Sequence, residues 1–429
     1  MVTLRQLFAR DFPVLLAGSL LSSIAQWLLL VYLGRVHGVA VLGQYIWALS
    51  LLAPLFMLAA LSLRNLIATQ AYPQCDFGHY LGLRLLSLSL LLPALLLYST
   101  LSGHHHDLYA FLPLLALLKS VEACSDLYYG RMQQQGQAWL QGLSQVLRFG
   151  GGIILFALGA AWGGLYAGFL LLLGGWLLVL LGFDRQRAQA ASIRPALIRD
   201  RNTLHAVLKS ALPLALSSAV GAFVINLPRY ALGYSAGDEV LGQFAALTSF
   251  TMLLNLIGIA LGQSMLSPLS RAFQQHDGRS FLKILGTALA LILLTTVVLL
   301  VLIGYFGRLL LELTFGPLMA DLDQQLWWIT LLALPLLPGQ IMSYGNMAVR
   351  HFSQTFRISL LSAACGTLLS LPLVSIGGIY GAAALFTLSG LIQIAGFGLS
   401  MRQAFAALPA SSPQPPRVPA VLSVPVKSS

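Results

Sequence analysis

The sequence has few charged residues, and the shortage is greatest for acidic ones. Asp, Glu, Lys and Arg make up 9% of its 429 residues, against about 25% in typical soluble proteins. Acidic residues number 13 and basic residues 24, while 58% of the chain is hydrophobic. This composition excludes a soluble globular protein and predicts a protein embedded in a membrane.

Cysteine is also scarce, and familiar catalytic motifs are missing. The three cysteines, Cys75, Cys124 and Cys365, lie far apart, so neither a disulfide framework nor a CxxC metal site is indicated. P-loop, HExxH and GxSxG patterns are absent. The histidine run at 104–106 lacks a metal-ligand spacing. We therefore expect no enzyme activity, no metal and no cofactor, and we keep H⁺ or Na⁺ coupling open.

Apolar runs of about 20 residues recur along the whole chain, and each is long enough to cross about 30 Å of hydrocarbon as a helix. We expect an all-α polytopic membrane protein with about twelve transmembrane helices. The predicted spans are 12–34, 41–63, 81–101, 108–129, 140–160, 163–182, 210–232, 239–262, 282–304, 326–347, 355–376 and 378–400.

Lys and Arg concentrate on one side of the predicted membrane. The two termini and the loops after even-numbered spans hold 19 of the 24 basic residues, whereas the opposite loops hold Arg35 and Arg308. By the positive-inside rule, both termini face the cytoplasm. The bias accounts for the net charge of +11, so we infer no nucleic-acid partner and expect the basic loops to contact membrane lipids.

A sequence repeat divides the chain into two related halves. Residues 33–45 and 232–244 are identical at seven of thirteen positions, with an offset of 199 residues. Each predicted half contains six spans, so the two halves run in the same direction and are related by an axis along the membrane normal. We expect a six-helix bundle at 1–182, a basic cytoplasmic loop at 183–209, a second bundle at 210–402 and a disordered Pro-rich cytoplasmic tail at 403–429.

Span one and span seven each carry polar residues at three- and four-residue spacing, which places them on one helix face. Such a face should turn toward a neighbouring helix or a wet cavity, and the serines alone fit either. In span one the face holds Ser19, Ser22, Ser23 and Gln26, and in span seven it holds Ser218, Ala222, Asn226 and Arg229.

Charged residues inside spans are costly and should face a cavity or a partner. Arg148 lies deep in span five, whereas Arg229 lies near the end of span seven, where its side chain also has a route to the membrane surface. Lys119, Glu122 and Asp126 share one face of span four. The two carboxylates either neutralise the nearby cations or bind and release a coupling ion.

The repeated Gly-x-x-x-Leu-Gly-Gln-Tyr/Phe motif, at Gly38–Tyr45 and Gly237–Phe244, resembles the polysaccharide-transporter branch of the MATE-like (MOP) superfamily, which includes Wzx-type O-antigen and capsule flippases. The segment from Ile225 through Pro268 is similar to the signature of that branch at spans seven and eight. The resemblance implies two pseudo-symmetric bundles around a cationic central cavity.

The resemblance also implies a function. Members of this branch move a polyprenyl-diphosphate-linked oligosaccharide from the cytoplasmic to the periplasmic leaflet of the bacterial inner membrane by alternating access, for surface polysaccharide synthesis, alongside polymerase and other assembly proteins. A diphosphate carries about two negative charges, which arginine binds well. The candidate cavity residues are Arg148, Arg229, Asn226, Gln26, Ser19, Ser22, Ser218 and Lys119.

Two alternatives remain open from the sequence. A MATE-type cation-coupled exporter of drugs or metabolites would need intramembrane carboxylates and an acidic cavity, whereas the candidates here are mixed and include three cations. A membrane-embedded polymerase or glycosyltransferase is disfavoured by the short predicted loops, none of which has room for a folded domain of at least about 50 residues.

Overall fold

The computed structural model describes residues 12–68, 70, 72, 74–101, 111–190 and 192–407, and these form helices joined by turns and, just before residue 201, by a longer non-helical segment. In chain order the helices are α1 Phe12–Tyr32, α2 Val39–Ala59, α3 Leu63–Ala68, α4 Phe77–Leu101, α5 Phe111–Gln134, α6 Trp139–Gln145, α7 Gly151–Val179, α8 Arg185–Arg187, α9 Arg201–Ser235, α10 Gly237–Ser249, α11 Thr251–Gln274, α12 Gly278–Phe315, α13 Pro317–Ala320, α14 Asp323–Ala333, α15 Leu336–Ala348 and α16 Phe352–Ala406. Single π-helical turns at Leu33–His37, Val146–Gly150 and Leu180–Asp184 continue α1, join α6 to α7 and join α7 to α8.

The membrane crossings agree with the sequence-based expectation. By length and composition, eight helices of the described chain can span a bilayer, or nine if the bent pair Gly237–Ser249 and Leu254–Gln274 is one span. Two of the eight, Trp139–Arg187 and Ser353–Ala406, are each about twice the length that a bilayer requires. Helix α5 is not among these eight helices, because its 24 residues include the charged side chains Lys119, Glu122, Asp126 and Arg131. Counting the bent pair as one span, adding α5 and counting each double-length helix twice gives twelve crossings of the described chain.

Each double-length helix is a hairpin that turns at a glycine. Gly164 and Gly378 adopt φ values of 74° and 52°, a conformation that costs glycine little and other residues more. The arms then pack closely, since a Cβ added at Gly159 would lie 2.6 Å from the carbonyl oxygen of Ala167, and one at Gly381 would lie 1.8 Å from that of Leu373. The prediction of separate spans five and six, and eleven and twelve, is confirmed.

The sequence repeat lies where the two halves touch. A Cβ added at Gly43 would lie 1.8 Å from the carbonyl oxygen of Asp238, and one added at Gly242 would lie 1.9 Å from that of Val39. Val39 and Asp238 are also 199 positions apart, so the two contacts are equivalent under the repeat. This reciprocal pairing is the signature of a two-fold relation, and it confirms the predicted pseudo-symmetry.

Further contacts close the same end of the molecule. The Arg35 guanidinium donates a hydrogen bond to the carbonyl oxygen of Leu313, and the Gln44 amide donates to the Asp238 carboxylate at 3.3 Å. The Phe315 ring packs against Gly34. We call residues 34–44 together with 233–242 and 313–315 the sealed end.

Large apolar side chains cover the outer surface of the helix bundle. Leu178, Leu318 and Ile376 are 73%, 91% and 89% exposed, a pattern that suits hydrocarbon rather than water. Helices also extend into the segment predicted as the loop 183–209, because α8 ends at Arg187 and α9 begins at Arg201. Residues 102–110, which include the histidine run, and the tail from residue 408 lie outside the described part of the chain.

Candidate functional site

Two cavities meet at Arg229 and Thr248, which line both. The first has a volume of about 620 Å³ and is lined mainly by the first half. We call it the charged cavity. The second has a volume of about 390 Å³ and is lined by the second half. We call it the neutral cavity.

The charged cavity holds more cations than anions. Five cationic side chains and two carboxylates line it within the described chain, which leaves an excess of three positive charges. They are Arg64, Arg84, Lys119, Arg148, Arg229, Glu122 and Asp126. Of the polar residues predicted from sequence, Gln26 and Asn226 also line this cavity.

Both carboxylates are engaged in ion pairs. The Lys119 ammonium lies 2.8 Å from the Glu122 carboxylate, one helical turn away on α5. Asp126, on the same face, pairs with Arg64 at 2.7 Å rather than with Lys119. Arg64 reaches α5 because Leu61 and Ser62 adopt left-handed φ values between α2 and α3. These pairs leave the other cations of the cavity without a carboxylate hydrogen-bond partner.

Arg148 is held in a cage of aromatic rings. It lies on the π-helical turn Val146–Gly150 and is 3% exposed. Its guanidinium carbon lies 5.0 to 5.7 Å from the ring centroids of Phe149, Trp176 and Tyr129. These rings stabilise the cation through their π faces. Its Nε and Nη1 atoms are nevertheless buried without a hydrogen-bond partner among the described residues.

Arg84, on α4, is the most buried cation of the site. It is 1% exposed, and its Nε, Nη1 and Nη2 atoms all lack a hydrogen-bond partner in the described chain. In the sequence analysis, Arg84 contributed only to the count of basic residues on one side of the membrane, because it lies near the beginning of span three. A position four residues into a predicted span gives no sign of burial, so the sequence carried no signal that would have assigned it to the cavity.

Arg229 and Asn226 act as a unit on α9. The Arg229 Nη1 donates a hydrogen bond to the Asn226 side-chain oxygen at 2.8 Å. Asn226 is buried and donates in turn to the carbonyl oxygen of Ala222. The Arg229 Nε atom has no partner in the described chain. The asparagine therefore orients the arginine toward the junction of the two cavities.

The predicted serines lie elsewhere. Ser22 and Ser23 donate hydrogen bonds to the carbonyl oxygen of Ser19, and Ser218 donates to that of Leu214. Ser19, Ser22 and Ser218 line neither of the two cavities. Serine in a membrane helix satisfies its hydroxyl on its own backbone, so helical spacing alone placed these residues in the candidate set.

The neutral cavity differs in chemistry. Apart from Arg229, the polar side chains in its lining are hydroxyls and amides. They are Thr248, Thr251, Asn255, Thr296, Thr330, Gln340, Ser343, Thr355, Ser359 and Gln393. Most of these hydroxyls donate to backbone carbonyls of their own helices and keep their oxygens as acceptors, whereas the amides of Asn255, Gln340 and Gln393 can both donate and accept. Together they offer neutral hydrogen bonds of the kind that hydroxyl-rich ligands form.

Comparisons with solved structures identify the fold. The chain superimposes on an inward-facing multidrug resistance MATE family transporter of the MOP superfamily with a TM-score of 0.73, at 15% identity, over 90% of this chain and 95% of that one. The lipid II flippase MurJ, in an inward closed conformation, gives a TM-score of 0.70 at 15% identity, over 91% and 88% of the two chains. The protein is a multi-pass membrane protein with the same fold as these two structures.

A sequence relative provides a second, independent resemblance. The chain is 23% identical to the capsular polysaccharide biosynthesis protein CapF of Staphylococcus aureus over 389 residues, which cover 90% of this chain and 97% of that protein. No family model matches the sequence. The relative and the MOP fold together bear out the likeness to the polysaccharide-transporter branch that the repeat motif indicated.

Proposed function

We propose that this protein is a flippase that carries a polyprenyl-diphosphate-linked oligosaccharide from the cytoplasmic to the periplasmic leaflet of a bacterial inner membrane, with both termini in the cytoplasm. One observation carries the proposal. Arg84, Arg148 and Arg229 line the charged cavity, and each has at least one buried guanidinium nitrogen without a hydrogen-bond partner among the described residues. A buried cation without a partner is costly, and an anionic ligand would remove that cost.

A diphosphate suits these donors. Its oxygens accept the paired N–H groups of a guanidinium in bidentate geometry. Its two negative charges offset much of the excess positive charge of the cavity. A cationic drug would meet repulsion in the same place, so the charge of the cavity disfavours the alternative of a cation-coupled multidrug exporter.

The oligosaccharide is assigned to the neutral cavity. Sugars present many hydroxyl groups and bind through neutral hydrogen bonds, which the hydroxyl and amide lining of that cavity supplies. Arg229 lies at the boundary of the two cavities, where the diphosphate joins the first sugar. The polyprenyl chain stays in the lipid, because its transfer into a polar cavity would expose apolar surface.

Transport requires the site to open alternately to each side. The sealed end closes one side through the reciprocal contacts at Gly43 and Gly242, and these contacts separate when that side opens. The two halves rock against each other around the central site in the proposed cycle. A polysaccharide polymerase and other assembly proteins are the proposed partners that use the delivered substrate.

The test is translocation of a fluorescent polyprenyl-diphosphate oligosaccharide in proteoliposomes, with surface polysaccharide measured in cells that depend on this protein. Arg148→Ala and Arg229→Ala should each weaken substrate binding about 10- to 100-fold, the equivalent of one charge-assisted hydrogen bond. The matched control is Arg402→Ala, an exposed arginine outside both cavities. Normal translocation in both cavity variants at normal protein level would refute the proposal.

A further inference from the structure

A buried carboxylate lies behind the charged cavity and belongs to none of the interactions described above. Asp184 ends the π-helical turn Leu180–Asp184 and is 0% exposed. Neither of its carboxylate oxygens has a hydrogen-bond partner in the described chain. It lines neither cavity. An ionised carboxylate in such surroundings is strongly disfavoured unless a cation or a donor reaches it.

Two hydroxyl groups face this carboxylate from neighbouring helices. Ser125 on α5 and Ser144 on α6 are both 0% exposed and lie next to Asp184. The Ser125 Oγ atom has no hydrogen-bond partner in the described chain. The Ser144 Oγ atom shares a 2.9 Å hydrogen bond with the Tyr129 hydroxyl. The pocket therefore holds a carboxylate and a hydroxyl that are both buried and both unsatisfied.

Charged and titratable groups around Asp184 connect this pocket to the charged cavity. Arg148, on the π-helical turn Val146–Gly150, is close enough to Asp184 for an electrostatic interaction. Tyr128 and Tyr129 on α5 also interact electrostatically with Asp184. Arg185 follows Asp184 in its own segment and acts on Tyr128. Arg148 also faces Glu122 across the cavity. Arg148 thus interacts with the buried carboxylate and also lines the cavity assigned to the diphosphate.

We propose that Asp184 is a proton-binding site whose protonation is linked to anion binding at Arg148. A proton converts the carboxylate to a neutral acid that donates a hydrogen bond to a buried serine hydroxyl. An ionised Asp184 competes for the charge of Arg148, and a protonated one leaves that charge available to an anion. By linkage, an anion on Arg148 increases the proton affinity of Asp184 to the same degree.

A proton fits this pocket better than a sodium ion. Sodium requires several oxygen ligands around it, and the described groups facing Asp184 supply two serine hydroxyls, one of them already bonded to Tyr129. Among the described residues, the chain has no cluster of three or more His, Cys, Asp or Glu side chains that could hold a metal ion. A single proton satisfies both the carboxylate and the Ser125 oxygen at once.

The experiment is an infrared titration of the purified full-length protein without cargo, which reads protonated carboxyl groups directly and does not depend on the proposed flippase activity. The wild-type protein should show a buried carboxyl band that titrates with pH and disappears in Asp184→Asn. In Ser125→Ala the band should persist with a shifted frequency and midpoint. Retention of the full band in Asp184→Asn would overturn the assignment.

The linkage has its own test, with inorganic pyrophosphate as the probe. Pyrophosphate should move the midpoint of the Asp184 titration to higher pH in the wild-type protein and leave it unchanged in Arg148→Ala. An equal shift in both proteins, or none in either, would overturn the linkage. A band that responds to Na⁺ at constant pH rather than to pH would replace the proton site with a sodium site. If the wild-type protein shows the Asp184 titration but does not translocate the lipid-linked oligosaccharide, only the flippase proposal is contradicted.

Discussion

At the scale of single residues, unpaired buried arginines distinguish this site from an ordinary core. Proteins pair buried charges or exclude them. Here Arg84 and Arg148 line the charged cavity and are almost completely buried, yet several of their guanidinium nitrogens have no acceptor in the described chain. The unliganded protein therefore loses stability at these positions, and a ligand of opposite charge recovers it. This arrangement has a measurable consequence for both stability and binding.

Replacement of Arg84 by methionine should stabilise the unliganded protein. Arg84→Met removes unsatisfied donors that cost about 1–3 kcal/mol, so the melting temperature should rise by roughly 1 °C for each kcal/mol recovered in a chain of this length. Stabilisation by pyrophosphate should decrease in the same variant. Thermal unfolding in lipid nanodiscs measures both effects, with exposed Arg402→Met as the control. A lower melting temperature without ligand would show that the buried guanidinium is stabilising.

The neutral cavity predicts a different substitution effect. Asn255 lines it and is exposed to the cavity space. Asn255→Ala should slow translocation of the full lipid-linked oligosaccharide several-fold, because a sugar hydrogen bond is lost, and should leave polyprenyl diphosphate binding unchanged. Asn202→Ala, at an exposed position outside both cavities, is the control. Equal losses for both lipids would contradict the placement of the glycan.

At the scale of helices, ends and close contacts decide how the elements pack. Asp200 caps α9, the first long helix of the second half, by accepting hydrogen bonds from the backbone N–H groups of Asn202 and Thr203. The Thr203 side chain and these backbone donors lower the pKa of the Asp200 carboxyl below its ordinary value. The cap should therefore be sensitive to acid.

The sign of this dependence follows from the lowered pKa. The ionised carboxylate supports the helix start fully above the ordinary aspartate pKa of about 3.9, and the support is lost as the pH falls through the lowered value. Amide-exchange protection factors at Asn202 and Thr203 should thus fall in acid. Asp200→Asn keeps a capping oxygen and should remove the pH dependence. Unchanged pH dependence in that variant would rule out the cap as its source.

Close contact at the pseudo-two-fold axis makes a second prediction at this scale. A side chain at Gly43 would clash with the Asp238 carbonyl oxygen, so Gly43→Ala should separate the halves at the sealed end. Spin labels at exposed Val36 and Leu318 should report a longer distance in the variant. Gly286→Ala is the control, since a Cβ there meets open space. An unchanged distance would show that the contact does not set the conformation.

At the scale of the whole molecule, the sealed end must open if the proposed cycle is correct. Gln44 and Asp238 belong to different halves and touch through their side chains. A disulfide between Gln44→Cys and Asp238→Cys, in a protein whose three native cysteines are replaced, should stop translocation and release it on reduction. The control pair is His351→Cys with Ser400→Cys, which touch within the second half. Full translocation in the cross-linked first pair would contradict alternating access.

The sequence predicted the overall organisation and part of the site. Apolar runs predicted twelve crossings, and the 199-residue repeat predicted pseudo-symmetry. Arg148, Arg229, Lys119, Glu122 and Asp126 were recognised because charge inside an apolar run is unusual. Arg64 and Arg84 were missed because basic residues near span ends are ordinary topology signals. Whether those spans bury such an arginine depends on helices that are distant in the chain.

Asp184 was also missed in the sequence, because it lies close to Arg185 and Arg187 and looks like part of a solvated loop. Composition, hydrophobic periodicity and the internal repeat determined by themselves that the chain spans a membrane as two related helical bundles, because these properties are local or repeat at fixed spacing. Tertiary structure alone decided which charges are paired, which are buried without partners and which face a cavity. Electrostatic energy depends on distance and dielectric surroundings, and both are set only when distant helices pack together.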